Sequence, residues 1–190
     1  MKRMTLAVAI AALVAVLPAA AETESYRVDS LHTFPSFEVM HLGYSLQRGR
    51  FNKTEGRIAL DAAAKKGSAD IRIDAASVDT GLDKLEEHLR GEDFLDAAKH
   101  PTIAFKSTSF AFDGDRVKSV AGDLTLRGVT RPVTLAASHF HCAIHPMAKK
   151  KACGGEFTTT IKRSDFGMKY ALPAVADEVV LRINVEAFKD

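Results

Sequence analysis

The chain lacks tryptophan altogether, has two cysteines in 190 residues, and carries almost no excess charge of either sign, with 26 basic against 24 acidic residues. It also lacks a GxSxG elbow, a phosphate-cradling Walker loop and a GxGxxG turn between a strand and a helix, so the common signatures of acyl transfer, nucleotide hydrolysis and dinucleotide binding are missing. "SDFGM" (164–168) contains a kinase-like triplet without the glycine loop or catalytic loop that would give it meaning, and reads as a bend. Long apolar runs are scarce as well. The single run, Leu6 to Leu17, is 12 residues long, short of the roughly 20 that a membrane-spanning helix needs.

That run follows Lys2 and Arg3 and leads through Pro18 into Ala19-Ala20-Ala21. Charge, apolar stretch and small-residue site together read as a secretory signal peptide over 1–21. Cleavage after Ala21 is expected, leaving one domain over 22–190. Lys2 and Arg3 leave with it, so the remaining basic side chains number 24, equal to the 24 acidic ones. A neutral surface argues against a nucleic-acid partner, because phosphate binding needs concentrated positive charge.

Export changes the reading of "HCAIHPMAKKKAC" (141–153), which holds both cysteines. Outside the cytosol a thiol pair 11 positions apart is expected to oxidise, so a Cys142–Cys153 disulfide is the first reading. The alternative is a metal held by the thiols with His139, His141 and His145. The spacing matches neither a CxxC knuckle nor an HExxH helix, so no metal and no cofactor are expected.

What the sequence has in abundance is period-two alternation, the mark of strands with one buried face. "ADIRID" (69–74) and "VVLRINVEA" (179–187) are the clearest cases, and "TIAFKS", "DLTLRG", "PVTLAA" and "TTTIKR" follow suit. Tyr26 to Asp29, Phe37 to Leu42 and "GRFNKTEGRIALD" bring the total to about eight or nine strands. Asp113-Gly114-Asp115, Gly128 with Pro132, and Gly154-Gly155 are expected at turns. "TGLDKLEEHLRG" (80–91) breaks the pattern, placing Leu82, Leu85 and Leu89 on one helical face with Thr80 and Asp83 as a capping box. A further helical turn is expected in "EDFLDAAKH". His88 and Glu92, one turn apart, are an acid/base candidate, although an ordinary surface pair has the same spacing.

An all-β antiparallel sheet of this size with one or two short helices removes its edges by closing into a barrel. The inward-facing candidates are Phe37, Val39, Phe51, Ile58, Ile71, Ile73, Ile103, Phe105, Leu181 and Ile183. Alternation alone leaves two interiors open, a packed core or a lumen for an apolar ligand.

The ordered motifs "YRVDSLH", "HLGYS", "GRF", "SVDTG", "EHLRGEDF", "HPTIAFKST", "GDLTLRGVTRPV", "IKRSDFGM" and "DEVVLRINVE" resemble the YceI-like polyisoprenoid-binding family of bacterial periplasmic and secreted proteins. The resemblance implies a lipocalin-like barrel whose lumen holds a long-chain isoprenoid or fatty lipid, of quinone or polyprenyl type, for periplasmic storage, transport or sequestration without catalysis. It implies lipid contacts from the ten inward residues, and His32, Arg163 and Asp165 in the matched motifs are the headgroup candidates. An Arg163–Asp165 ion pair and a core-satisfied His32 are the structural alternatives. Transient membrane contact fits such a role, and the oligomeric state stays open, a dimer included. Two rival readings are an enzyme on a lipophilic substrate using His88 or the 139–145 histidines, and a ligand-free interaction barrel. The cysteine-bearing 141–153 stretch departs from the family pattern and leaves the shape of that barrel end open.

Overall fold

The computed structural model describes residues 23–190; the signal peptide expected at 1–21 lies outside them. Eleven strands and one α-helix follow in chain order: β1 (Glu24–Val28), β2 (Phe34–His41), β3 (Ser45–Phe51), β4 (Thr54–Asp61), β5 (Lys66–Asp74), β6 (Val78–Asp79), α1 (Asp83–Arg90), β7 (Thr102–Asp113), β8 (Arg116–Leu126), β9 (Val129–Ile144), β10 (Lys151–Lys162) and β11 (Val175–Lys189).

Eight of these strands form a closed antiparallel barrel in the order β1-β4-β5-β7-β8-β9-β10-β11, with β11 returning to β1. Closure depends on β11 dividing the edge opposite β10 between two partners. Its last residues pair with β1, as in Phe188 opposite Arg27, while Val175 to Asn184 pair with β2. Beyond β2, the strands β3 and β6 extend the wall. Alternation builds the strands as expected: in β5, Ile73 is buried and Ile71 half-buried while Asp70 and Arg72 are exposed. The β8–β9 hairpin turns through Arg127 (φ 52°) and Gly128 (φ 72°), the two successive positive angles of the turn that matches strand twist.

Several local expectations change. Gly154 and Gly155 do not turn the chain but lie inside β10, where a Cβ on Gly155 would crowd the Phe157 ring and the His139 carbonyl. The turn falls instead at 145–150, between β9 and β10. Thr80 and Asp83 form no capping box. Leu82 holds the N-cap position without a side-chain bond, and the Glu86 carboxylate reaches back to accept from the N–H groups of Thr80 (2.9 Å) and Gly81 (3.2 Å). The "EDFLDAAKH" stretch makes turns rather than a helix, folding its N–H groups of Leu95, Asp96 and Ala97 onto the carbonyls of Leu89, Gly91 and Arg90. β3 and β6 escaped alternation because β3 is almost wholly exposed and β6 is two residues long.

The 141–153 stretch is a straightforward extension of the β9–β10 hairpin. Cys142 and Cys153 stand directly opposite in the ladder, their Cα atoms 4.1 Å apart, and are joined by a disulfide. Both sulfurs are thereby removed from any metal set.

The core divides in two. One cluster gathers Ile73, Val78, Leu95, Ile103, Leu124, Leu126, Ile161, Phe166 and Met168 toward the α1 end. The other gathers Tyr26, Leu60, Phe105, Val117, Val120, Cys153, Phe157 and Ala187 toward the disulfide end. Ile71 and Val133 pack against both.

Candidate functional site

Neither cluster fills its part of the barrel. At the α1 end lies a cavity of about 200 Å³, and at the disulfide end one of about 90 Å³. Nine of the ten residues expected to face inward line the larger chamber: Phe37, Val39, Phe51, Ile71, Ile73, Ile103, Phe105, Leu181 and Ile183. The tenth, Ile58, lines the smaller one. Of the two interiors that alternation left open, the structure has the lumen.

The walls show why these side chains leave space. Ile71 lies over its ladder partner Gly56, with its Cδ1 2.7 Å from where a Cβ on that glycine would stand, and the Phe105 ring reaches diagonally over Gly122, which itself stands opposite Ser107. Phe37 sits over its partner Gly49. Glycine at inward positions lets a large neighbour lie flat against the sheet instead of projecting across the lumen.

Sequence reasoning missed part of the lining. Leu89 of α1, with Phe94 and Leu95 just after it, closes the larger chamber, joined by Met168 from the segment before β11 and Val175 at its first residue. No alternation marks these positions. Leu124, Leu126, Val133 and Leu135 also line it, and the alternation of "DLTLRG" and "PVTLAA" carried that signal.

Arg163 is the one charged side chain among the residues lining either chamber, and it is 3% exposed. It does not pair with Asp165, which is exposed and absent from both linings. Its guanidinium instead gathers four main-chain carbonyls. Nε donates to Ala176 (2.9 Å), Nη1 to Met168 (3.0 Å) and Tyr170 (2.9 Å), and Nη2 to Val175 (2.9 Å). Five N–H groups in a planar fork suit this task, and one Nη2–H remains. Burial pushes the Arg163 pKa downward, with the Asp177 charge opposing. Asp177 is engaged by Ser164, whose N–H (2.9 Å) and hydroxyl (2.7 Å) both donate to it, so its carboxyl is held below its ordinary value.

His32 lies on the surface outside both chambers, neither core-buried nor at the lumen wall. Its Nδ1 is 2.7 Å from Asp29 Oδ2, a contact that raises its pKa. Glu186 completes a three-residue group there of potential ligand atoms. His88 faces Asp93 (3.5 Å) rather than Glu92, and its ring packs edge-on against Phe94 and Tyr170. His145 Nδ1 accepts from the N–H groups of Met147 and Ala148, an arrangement that closes the hairpin tip. The β2–β3 hairpin ends in exposed apolar side chains, Met40 and Leu46 opposite one another with Leu42 and Tyr44 at the turn.

A sequence model of the YceI-like domain matches residues 26–187. The chain belongs to the YceI-like family. It is 41% identical over 166 residues to Protein YceI of Escherichia coli O6:H1, covering 85% of each chain. Among solved structures it is similar to BcnA of Burkholderia cenocepacia (TM-score 0.71, 27% identity, 84% of this chain and 98% of that one). A polyisoprenoid binding domain from Saccharophagus degradans shares the fold at TM-score 0.65 and 16% identity, over 88% of this chain and 99% of that one. The closed eight-stranded barrel of this YceI-like chain is the architecture of those structures.

Proposed function

We propose that this YceI-like barrel binds the apolar tail of an isoprenoid or related amphiphilic lipid and carries or stores it without transforming it. The observation that carries the reading is a lumen whose lining includes one charged side chain, itself committed to main-chain carbonyls. A cavity of such walls stays dry, and an apolar guest is its natural occupant. Each methylene moved from water gains about 0.8 kcal/mol. A bilayer offers the tail nearly the same gain, so exchange with membranes suits the site better than irreversible capture. The uncommitted Nη2–H of Arg163, a lining residue of the larger chamber, is the donor we assign to a headgroup or carbonyl oxygen. His32 and Asp165 are exposed and absent from both linings, so the role is not assigned to them.

The disulfide fits an oxidising compartment, and together with the signal peptide expected at 1–21 it supports a periplasmic location. Met40, Leu42, Tyr44 and Leu46 continue outward from the strand that supplies Phe37 and Val39 to the lumen. That hairpin is where the barrel would touch a membrane while loading.

Native mass spectrometry of protein purified without detergent tests the reading, using Ile71→Trp as the control. In a lumen the added bulk displaces the tail: lipid-stripped variant and lipid-stripped wild type should melt at similar temperatures, while co-purified lipid per chain falls sharply. In a filled core the same change would cost about 1–3 kcal/mol. A strongly destabilised variant beside a lipid-free wild type would end the binding proposal.

A further inference from the structure

Outside both chambers, near the disulfide, β11 passes from one partner to the other: Ala187 stands opposite Val28 of β1, and Asn184 opposite Phe34 of β2. The β1–β2 turn (29–33) spans this junction and is tied to Glu186 by its main chain. The Asp29 N–H donates to the Glu186 carbonyl (2.8 Å), and the Thr33 hydroxyl donates to the same carbonyl (3.2 Å) while accepting from the Glu186 N–H (3.1 Å). Thr33 is buried. Asn184 Nδ2 donates to the His32 carbonyl (2.8 Å) from the other side. Asp29 Oδ1 accepts from the Leu31 N–H (3.0 Å), which leaves Oδ2 to face His32 Nδ1 at 2.7 Å. The backbone of Asp29, His32 and Glu186 is therefore held in place before their side chains meet anything.

Those side chains converge. One ligand atom from each of the three lies within 4.8 Å of the other two. A surface pair needs one carboxylate for one imidazole; here a second carboxylate is brought to the same ring, and among the described residues neither Asp29 nor Glu186 forms an ion pair with a lysine or arginine. We infer that Asp29, His32 and Glu186 hold a divalent transition metal of the zinc class, clamping the β1–β2 turn to β11 where the barrel wall changes partner. Two carboxylates balance the charge of a dication, an imidazole nitrogen beside them selects a borderline metal over calcium or magnesium, and three protein donors leave the fourth tetrahedral position to water. A zinc ion about 2.0–2.2 Å from each donor holds the donors roughly 3.3–3.6 Å apart. Asp29 and His32 then part by less than about 1 Å, and the exposed Glu186 side chain rotates in to meet them. Gly154, its ladder partner in β10, has no side chain to obstruct that rotation. Any proton shared between Nδ1 and Oδ2 leaves to solvent as the metal takes its place. His145 is not a fourth donor through Nδ1, which already accepts from Met147 and Ala148.

Zinc chloride is the probe, titrated calorimetrically into the tag-free full chain after treatment with chelator, and thermal melting is followed with and without the metal. One zinc per chain is expected, and a melting temperature that rises with zinc because the unfolded chain has no such site. His32→Ala and Glu186→Gln change exposed side chains, so both variants should fold, with unchanged far-ultraviolet spectra. The groups that merely orient a metal ligand are worth on the order of 10–100-fold in affinity. Loss of a ligand itself should therefore weaken zinc binding at least about tenfold in each variant and abolish the zinc-dependent rise in melting temperature. Glu186→Gln separates the metal site from a plain Asp29–His32 hydrogen bond, which this change leaves in place: a merely structural pair predicts no effect of the variant on zinc. The inference is overturned if wild type takes up no zinc at molar excess, or if either variant binds zinc as tightly as wild type does. The lumen takes no part in these measurements, so the lipid-binding proposal stands or falls separately.

Discussion

Arg163 illustrates how much a single side chain can hold. Its guanidinium ties the carbonyls of Met168, Tyr170, Val175 and Ala176, and so fixes the segment that brings Met168 and Val175 to the lumen. Arg163→Met would leave those acceptors without their donors, at about 1–3 kcal/mol for each one that stays buried. A loss of at least about 3 kcal/mol in chemical denaturation is expected. Arg163→Lys should recover little, because a point charge cannot reproduce a planar fork. A near-wild-type denaturation midpoint for the methionine variant would refute this role. The sequence placed Arg163 among the candidates through its motif but gave no means of seeing its partners, since carbonyls 5 to 13 residues downstream leave no trace in residue type. The inward residues were legible for the opposite reason. Ile71 between Asp70 and Arg72 announces its face by chemistry, whereas Gly56 and Gly122 acquire meaning only once the register sets them beneath Ile71 and Phe105.

At the scale of elements, β1 is anchored electrostatically as well as by its ladders. Glu24 accepts from Lys151 of β10, from Tyr26 (2.6 Å) and from Lys189 of β11 (3.0 Å). These bonds, that from Lys151 foremost, lower its pKa from 4.5 to about 2. A carboxyl depressed in the folded state stabilises fully above its unfolded pKa and loses that contribution as pH falls through the folded one. Melting temperature should therefore decline between about pH 4.5 and 2, and Glu24→Gln should flatten that part of the profile. An unchanged slope in the variant would show that the cluster contributes nothing. The disulfide belongs to this scale too. Cross-linking residues 11 apart restricts the unfolded chain by roughly 3 kcal/mol in the loop-entropy picture. Reduction should lower the denaturation midpoint accordingly while leaving the far-ultraviolet spectrum of the barrel intact; collapse of the spectrum would mean that the bond holds the fold itself. Its pairing was legible from compartment and spacing. Its setting inside a ladder was not, because Gly154-Gly155 looked like a turn.

For the whole molecule, closure is what alternation could suggest and only pairing could show. Most of the barrel strands were visible as half-buried runs, yet nothing in β11 hints that "ADEVVLRIN" and "EAFK" answer to different neighbours. The seam also binds the ends of the described chain to each other, since Tyr26 lies opposite Lys189. Such pairing is as non-local as a contact can be, and it is expected late in folding because its entropy cost is met before any gain. Until the last few residues have arrived, the ring is an open sheet with two sticky edges and its lumen is a groove exposed to water. Loss of only those residues would therefore act less like fraying of a tail than like removing the keystone from an arch.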